Sequence, residues 1–237
     1  MIADKLQQLH QRMAQACAQA GRAVQSVTLL TVTKTFDATA VREAFAAGER
    51  RFGENYVQEG VEKIAALADL RDQIEWHLIG PLQSNKTRVV AEAFDWVHSI
   101  DRLKIAQRLS EQRPAHLPPL QLCLQVNISA EPSKSGLPPQ DVLAVAHAVA
   151  ALPRVQLRGL MAIPEPAASV EAQRAPHRAL RELLWSLQAE GLTVDTLSIG
   201  MSDDLEAAIM EGATMVRVGS AIFGARPALR PAADRSA

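Results

Sequence analysis

Eight short runs of apolar and β-branched residues recur along the chain, and segments with helical periodicity separate them. Val41 and Phe45 precede Gly48, for example, and a leucine stripe at 180–187 precedes Gly191. A glycine directly after an apolar helical stripe is a common helix stop signal. The pattern therefore predicts alternating strands and helices. The predicted strands cover residues 27–34, 51–56, 74–80, 96–101, 120–128, 157–163, 196–200 and 214–224.

This alternation favours an α/β fold with a parallel sheet closed as a single (β/α)8 TIM-type barrel. An open, doubly wound sheet is the alternative. The count of eight strands and the lack of a G-x-G-x-x-G loop before the first helix favour the barrel. Ahead of the first strand, Ile2, Leu6, Leu9, Met13 and Cys17 recur at helical spacing, which predicts an extra N-terminal helix.

Length, charge and cysteine usage narrow the class of protein. The chain has 237 residues and a formal net charge of −1, which argues against nucleic acid or an anionic membrane as a partner. Residues 1–227 are predicted to form the barrel and residues 228–237 a disordered tail. Neither a signal peptide nor an apolar run of the roughly 20 residues needed to span a membrane is apparent. Two distant cysteines indicate a reducing compartment, so the chain is predicted to be cytoplasmic.

Polar and reactive residues follow the C-terminal ends of the predicted strands, which form the working face of such a barrel. Lys34 ends the buried run LLTVTK, so its amine lies at the barrel mouth or is expensively buried. Partial desolvation lowers the pKa of an amine and makes it nucleophilic, as bonding to an aldehyde requires. The alternative is a lysine whose ammonium simply reaches solvent.

The loops after the seventh and eighth strands contain glycine and serine where barrels commonly bind phosphate. Gly200 precedes Ser202, and the free amides at the following helix start suit an anion. Ser202 is equally well explained as a helix N-cap with two aspartates in the first turn. Gly219 and Ser220 supply a close backbone approach and a hydroxyl.

A nucleophilic lysine and an anion-binding site at one barrel mouth suit pyridoxal phosphate. Its aldehyde would meet the amine, and its phosphate would meet the anion-binding site. Arg217 would then reach the pyridine nitrogen. A guanidinium donates hydrogen bonds and keeps its proton, so it favours the neutral ring, which is a weak electron sink. The alternative for Arg217 is a structural carboxylate partner.

Seven segments between residues 31 and 226 carry a recognisable pattern: TVTKTF, FGENYVQE, WHLIGPLQSNK, NISAEPSKSG, GLMAI, SIGMSDDLEAAI and VRVGSAIFGAR. On these segments the chain resembles the pyridoxal phosphate homeostasis protein family, which is related to the N-terminal barrel of alanine racemase. The resemblance implies a fold type III barrel without the C-terminal β domain, with pyridoxal 5′-phosphate (PLP) as the cofactor.

The resemblance also implies roles for single residues: Lys34 forms the internal aldimine and Arg217 faces the pyridine nitrogen. His77 is equally well explained as a hydrogen-bonded core histidine. Lys134, in the loop after the fifth strand, is interpreted as a solvated charge. The other implied contacts are Asn55, His77 and Met161 along the ring, Ser202, Gly219 and Ser220 at the phosphate, and Ser198 and Gly200 elsewhere on the cofactor.

Racemisation normally needs two acid–base groups, and in the alanine racemase relatives the second is a tyrosine brought by the second domain of a dimer partner. This chain has one tyrosine, Tyr56, and shows no second domain. It is therefore predicted to be a monomeric PLP-binding homeostasis protein without robust catalysis, with PLP-dependent apoenzymes as candidate recipients. The alternative is an amino-acid racemase that uses His77 or Tyr56. A metal- or phosphosugar-handling enzyme has less support, because the six histidines lack metal-ligand spacing.

Overall fold

The computed structural model describes residues 1–129 and 135–224. Eight parallel strands close into a barrel in sequence order, with β8 paired to β1. This confirms the (β/α)8 barrel and excludes the open sheet. The strands are β1 (Thr28–Val32), β2 (Arg51–Glu54), β3 (Glu75–Leu78), β4 (Trp96–Ile100), β5 (Leu120–Gln125), β6 (Val155–Met161), β7 (Thr196–Ser198) and β8 (Met215–Val218).

Helices surround the barrel, and the first is the predicted N-terminal helix. It buries Leu6, Leu9, Met13 and Cys17 on one face. The α-helices are α1 (Ile2–Gln19), α2 (Ala38–Ala46), α3 (Val57–Ala66), α4 (Thr87–Ala93), α5 (Leu103–Gln112), α6 (Val142–Ala150), α7 (Val170–Ala189), α8 (Leu205–Met210) and α9 (Ser220–Phe223). Short 3-10 helices cover Val24–Ser26, Ala68–Gln73, Ser84–Lys86 and Pro139–Asp141. In the described part of the chain, no helix combines the length and the apolar composition needed to cross a bilayer.

The core has two layers, one between strands and helices and one inside the barrel, as the closed sheet requires. The inner layer includes a cluster of Trp96, Cys123 and Met161. Cys17 and Cys123 are both buried and free. Burial raises the pKa of Cys123 to about 12, which leaves a protonated, unreactive thiol.

The structure shortens the eighth predicted strand. β8 ends at Val218, and residues 220–223 of the same apolar run form α9, because a short apolar run fits either kind of element. Lys34 and Asn55 likewise lie just after their strands. Lys134, the predicted domain boundary at residue 227 and the predicted tail at 228–237 lie outside the described residues.

Candidate functional site

A cavity of about 280 Å³ opens at the C-terminal end of the barrel. Small-molecule sites span roughly 300–1,000 Å³, so this one lies near the lower end. The lining residues are Val32, Lys34, Phe36, Asn55, Ile79, Ile163, Met201, Ser202, Asp203, Arg217, Gly219, Ser220 and Gly224.

Lys34 lies in the tight turn after β1, with its side chain half-buried. The Phe36 N–H donates to the Thr33 carbonyl at 3.1 Å and closes the turn around Lys34 and Thr35. Thr35 has a φ of 70°, in the left-handed region. The turn, rather than the strand itself, brings Lys34 to the cavity wall.

The turns after β7 and β8 form a neighbouring wall. The hydroxyl oxygens of Ser202 and Ser220 lie 3.0 Å apart. A Cβ on Gly219 would lie 2.8 Å from the Val32 carbonyl oxygen, so glycine lets this turn approach β1 closely. Two hydroxyls and a glycine backbone therefore meet at one part of the cavity, a group of donors that suits a phosphate.

Arg217 lines the cavity although the residue is only 4% exposed. Its guanidinium donates to the Ser198 carbonyl at 2.5 Å, to Ser198 Oγ at 2.9 Å and to the Ala162 carbonyl at 2.9 Å. Burial lowers the pKa of Arg217 to about 10, which leaves it charged at neutral pH. The alternative interpretation of Arg217 predicted a carboxylate partner. The observed partners of its guanidinium are instead neutral oxygens of Ser198 and Ala162.

A column of hydrogen bonds runs from Arg217 through the barrel interior to Glu75 at the start of β3. Ser198 Oγ lies 2.9 Å from His98 Nδ1, and His98 Nε2 lies 2.9 Å from His77 Nδ1. His77 Nε2 lies 2.9 Å from the Glu75 carboxylate. We call these five residues the polar column.

One arrangement of protons satisfies the polar column. Burial opposes ionisation of Glu75, but the hydrogen bond from His77 and the neighbouring charge of Arg51 together outweigh it and lower the pKa of Glu75 to about 2. Burial lowers the pKa of His77 and His98, so each ring is neutral with one N–H. Each ring therefore donates from Nε2, and Ser198 donates to His98 while it accepts from Arg217.

Asn55 follows β2 and lines the cavity. Its Oδ1 is buried without a hydrogen-bond partner among the described residues. A Cβ on Gly80 would lie 2.0 Å from the Asn55 carbonyl oxygen, so glycine allows these two loops to touch. A buried acceptor without a donor costs free energy, and a donor on a bound molecule would satisfy it.

Six of the ten predicted cofactor contacts line this one cavity: Lys34, Asn55, Ser202, Arg217, Gly219 and Ser220. Two further predicted contacts, Ser198 and Gly200, are not among the cavity-lining residues but contact Arg217, which is. Ser198 binds the Arg217 guanidinium, and the Gly200 carbonyl accepts the Arg217 backbone N–H at 2.9 Å. Both therefore position the arginine without lining the cavity.

The two other predicted ring contacts, His77 and Met161, are not among the cavity-lining residues. His77 is fully buried in the polar column, in agreement with the core-histidine alternative. Met161 is fully buried against Trp96 and Cys123. Both are inward-facing strand residues whose side chains pack inside the barrel, whereas turns after the strands form much of the cavity wall.

The alternative explanation of Ser202 as a helix N-cap is wrong. α8 begins at Leu205, and Asp204 occupies the N-cap position. The Asp204 carboxylate accepts from the Met201 N–H at 2.7 Å and from His177 Nε2 at 2.8 Å. The Ser202 hydroxyl consequently stays on the cavity wall beside Ser220.

The sequence analysis missed most of the apolar lining. Phe36 and Met201 adjoin the motifs that carry Lys34 and Ser202, and Ile79 lies two residues after His77 on the same alternating face. The period-2 alternation of strands identifies Ile79 as inward-facing. Ile163 lies in a loop, where no local pattern fixes its direction.

Comparisons with known proteins agree with this architecture. The model of the alanine racemase N-terminal domain family matches residues 5–227. A pyridoxal phosphate homeostasis protein of Pseudomonas aeruginosa is 61% identical over 231 residues, with 98% of each chain covered. Another, from Escherichia coli K12, is 54% identical over 226 residues and covers 95% of this chain and 97% of its own.

Solved structures extend the comparison. PipY of Synechococcus elongatus, with PLP bound, is 40% identical, with a TM-score of 0.83 over 94% of this chain and 100% of its own. Alanine racemase of Corynebacterium glutamicum shares the fold, with a TM-score of 0.67 and 18% identity over 96% of this chain and 61% of its own. These matches confirm the resemblance drawn from the seven segments. The chain therefore belongs to the pyridoxal phosphate homeostasis protein family, on the barrel fold of the alanine racemase N-terminal domain.

Proposed function

We propose that this chain binds PLP in the C-terminal cavity of its barrel, bonds it reversibly to Lys34 and holds it for PLP homeostasis. One observation carries the proposal. A single cavity is lined by Lys34, by the Arg217 guanidinium and by the hydroxyl pair of Ser202 and Ser220. The names of the bacterial relatives and the PLP bound to PipY support it.

The donor set of the cavity fits this cofactor. When bound, PLP supplies an aldehyde that bonds reversibly to an amine with loss of water. Lys34 supplies the amine. Ser202, Ser220 and the Gly219 backbone would donate to the phosphate. Asn55 Oδ1, which has no hydrogen-bond partner among the described residues, would accept from the ring hydroxyl.

Arg217 favours retention over catalysis. Its guanidinium donates hydrogen bonds and accepts none, so beside the pyridine nitrogen it disfavours ring protonation. Ser198 and Ala162 fix its position through three hydrogen bonds. The unprotonated ring withdraws electrons weakly, which supports holding the cofactor rather than turning over amino acids.

Amino-acid racemisation is the second candidate function, and it needs an acid–base group besides Lys34. Tyr56 is 59% exposed and is not among the cavity-lining residues. His77 is fully buried and neutral within the polar column. Neither residue is placed to move a proton at a bound substrate, which supports the binding protein over the racemase.

We further infer that the chain acts in the cytoplasm as a monomer and passes PLP to apoenzymes that depend on it. The rim of the cavity exposes Ile163 and Met201, by 44% and 39%. Apolar side chains at the rim of a binding site are suited to contact with another protein.

Borohydride reduction tests the proposal directly. We expect reduction of the PLP-treated protein to fix the cofactor on Lys34, as located by peptide mass mapping. Lys34→Ala is expected to remove the adduct, whereas Lys104→Ala, an exposed lysine on α5, keeps it. An adduct at another lysine, or none in the native chain, contradicts the proposal. Racemase turnover that disappears in Lys34→Ala would instead establish the second candidate.

A further inference from the structure

A buried group of charges lies against the turn that carries Lys34. Lys63 and Glu59 belong to α3 and Glu54 to β2, and we call these three residues the Lys63 cluster. Lys63 is 5% exposed and Glu54 is fully buried. The Lys63 Nζ lies 2.8 Å from the Glu54 carboxylate and 2.6 Å from that of Glu59. Buried ion pairs contribute little net stability, so the presence of these buried charges calls for an explanation other than stability.

The three protons of the Lys63 ammonium have three acceptors. Two are the carboxylates of the cluster, and the third is the Thr33 carbonyl at 2.6 Å. The Glu59 carboxylate also accepts the Thr35 N–H at 2.5 Å. The cluster therefore binds the backbone immediately before and immediately after Lys34.

The turn needs such support because of Thr35. Its φ of 70° lies in the left-handed region, which is unfavourable for a β-branched residue. Thr35 is the third residue of the turn closed by Phe36 and Thr33, a position where positive φ normally selects glycine or asparagine. A strained backbone conformation persists only where surrounding contacts hold it in place. The hydrogen bonds from the Lys63 cluster to Thr33 and Thr35 are contacts of this kind.

We propose that the Lys63 cluster is a positioning element that holds the Lys34 turn in its strained conformation and so sets how tightly the cofactor is retained. The link to retention rests on the proposed function of Lys34, whereas the hold on the turn is independent of it. A turn fixed in advance loses little conformational entropy when a ligand binds, so its release weakens binding.

A pair of substitutions at Glu59 tests the inference. Glu59→Ala removes the acceptor of the Thr35 N–H, and Glu59→Gln removes the charge but keeps an acceptor oxygen. Glu59→Ala also removes one acceptor of the Lys63 ammonium, so we expect PLP binding to weaken by about tenfold or more. We also expect about tenfold faster hydrogen exchange of the Thr35 amide in the cofactor-free protein. Glu59→Gln is expected to stay within about twofold of the native chain in both measurements.

Glu62→Ala is the matched control, because Glu62 is an exposed glutamate on the same helix. Should Glu59→Ala fail to fold, Glu59→Asp replaces it, since the shorter side chain withdraws the carboxylate while keeping the charge. Binding or exchange that matches the Glu62→Ala values overturns the inference. A native chain without a Lys34 adduct would defeat the proposed function instead, and the exchange measurement would still decide whether the cluster holds the turn.

Discussion

Two parts of the cavity wall differ in the ion pairs that lie near them. A buried ion pair supports the turn that carries Lys34, whereas a more exposed ion pair lies near the turns that carry Ser202 and Ser220. The Lys63 side chain is 6% exposed, and that of its partner Glu54 is fully buried. Beside the serine wall, Arg12 of α1 pairs with Glu206 of α8, and these side chains are 36% and 38% exposed. The two ion pairs thus have very different surroundings.

The difference matches the two tasks that the proposed function assigns to these walls. A residue that bonds covalently must present one atom at one place, and buried charged hydrogen bonds give that precision at the cost of desolvation. A phosphate shares several donors and tolerates water among them, so its wall can be exposed. On this view the Lys34 wall sets position, and the serine wall permits exchange.

The largest expected effect contrasts the two ion pairs. Above about pH 7, where Glu54 is ionised, Lys63→Met leaves its carboxylate buried without a cation, so we expect the free energy of unfolding to fall by about 3–5 kcal/mol. Arg12→Met removes the exposed pair with Glu206 and is expected to cost at most about 1 kcal/mol. Urea unfolding of the cofactor-free proteins measures both values. Equal losses of unfolding free energy in the two variants would contradict the contrast between the walls.

An intermediate effect concerns pH. Burial raises the pKa of Glu54 from 4.5 to about 7 and Glu59 adds to the rise, while Lys63 and Thr33 oppose it. The native chain holds this proton more tightly than the unfolded chain. The stabilisation is therefore complete below about pH 4.5 and is lost as the pH rises through about 7, and it amounts to about 3 kcal/mol.

Urea unfolding between about pH 5 and about pH 8 measures this loss, and Glu54→Gln is expected to abolish it. Glu206 is the matched residue of the other wall. The hydrogen bond from Arg12 lowers its pKa, so its contribution is lost as the pH falls instead. If Glu54→Gln still loses unfolding free energy as the pH rises, a group other than Glu54 is responsible for the titration.

The smallest expected effect belongs to the serine wall. Ser220→Ala removes one exposed hydroxyl, so we expect PLP affinity to fall by about three- to tenfold with no change in the free energy of unfolding. Ser186→Ala, an exposed hydroxyl on α7, is the control. Fluorescence titration measures the affinity. A Ser220→Ala variant that binds PLP as tightly as the native chain would place the phosphate elsewhere.

The sequence was sufficient for the barrel and for much of the site, for a physical reason. Strand and helix periods are local patterns, and the C-terminal ends of parallel strands meet at one face. Lys34, Arg217 and Ser220, which lie far apart in the sequence, could therefore be assigned to one cavity before the structure was known. The run at 214–224 was misassigned in part, because its apolar composition fits strand and helix alike, and the other predicted strands differ from the observed ones by a few residues at their ends.

Side-chain direction and burial of charge could not be predicted in the same way. His77 and Met161 face inward as their strands require, but alternation does not show which inward side chains reach the mouth. Lys63 follows Glu59 by four residues on α3, a spacing typical of a solvated helix surface. Its burial depends on contact with the turn after β1, which is a tertiary feature.

Closure of the barrel by β8 against β1 has a consequence for the order of biosynthesis. Lys34 is translated well before Ser220, which lies in the last described turn. At roughly 5–20 residues per second, translation separates the two by on the order of ten seconds or more. A nascent chain in that interval has an amine without an anion seat. Under the proposed function, binding of PLP therefore has to await translation of the turn that carries Ser220.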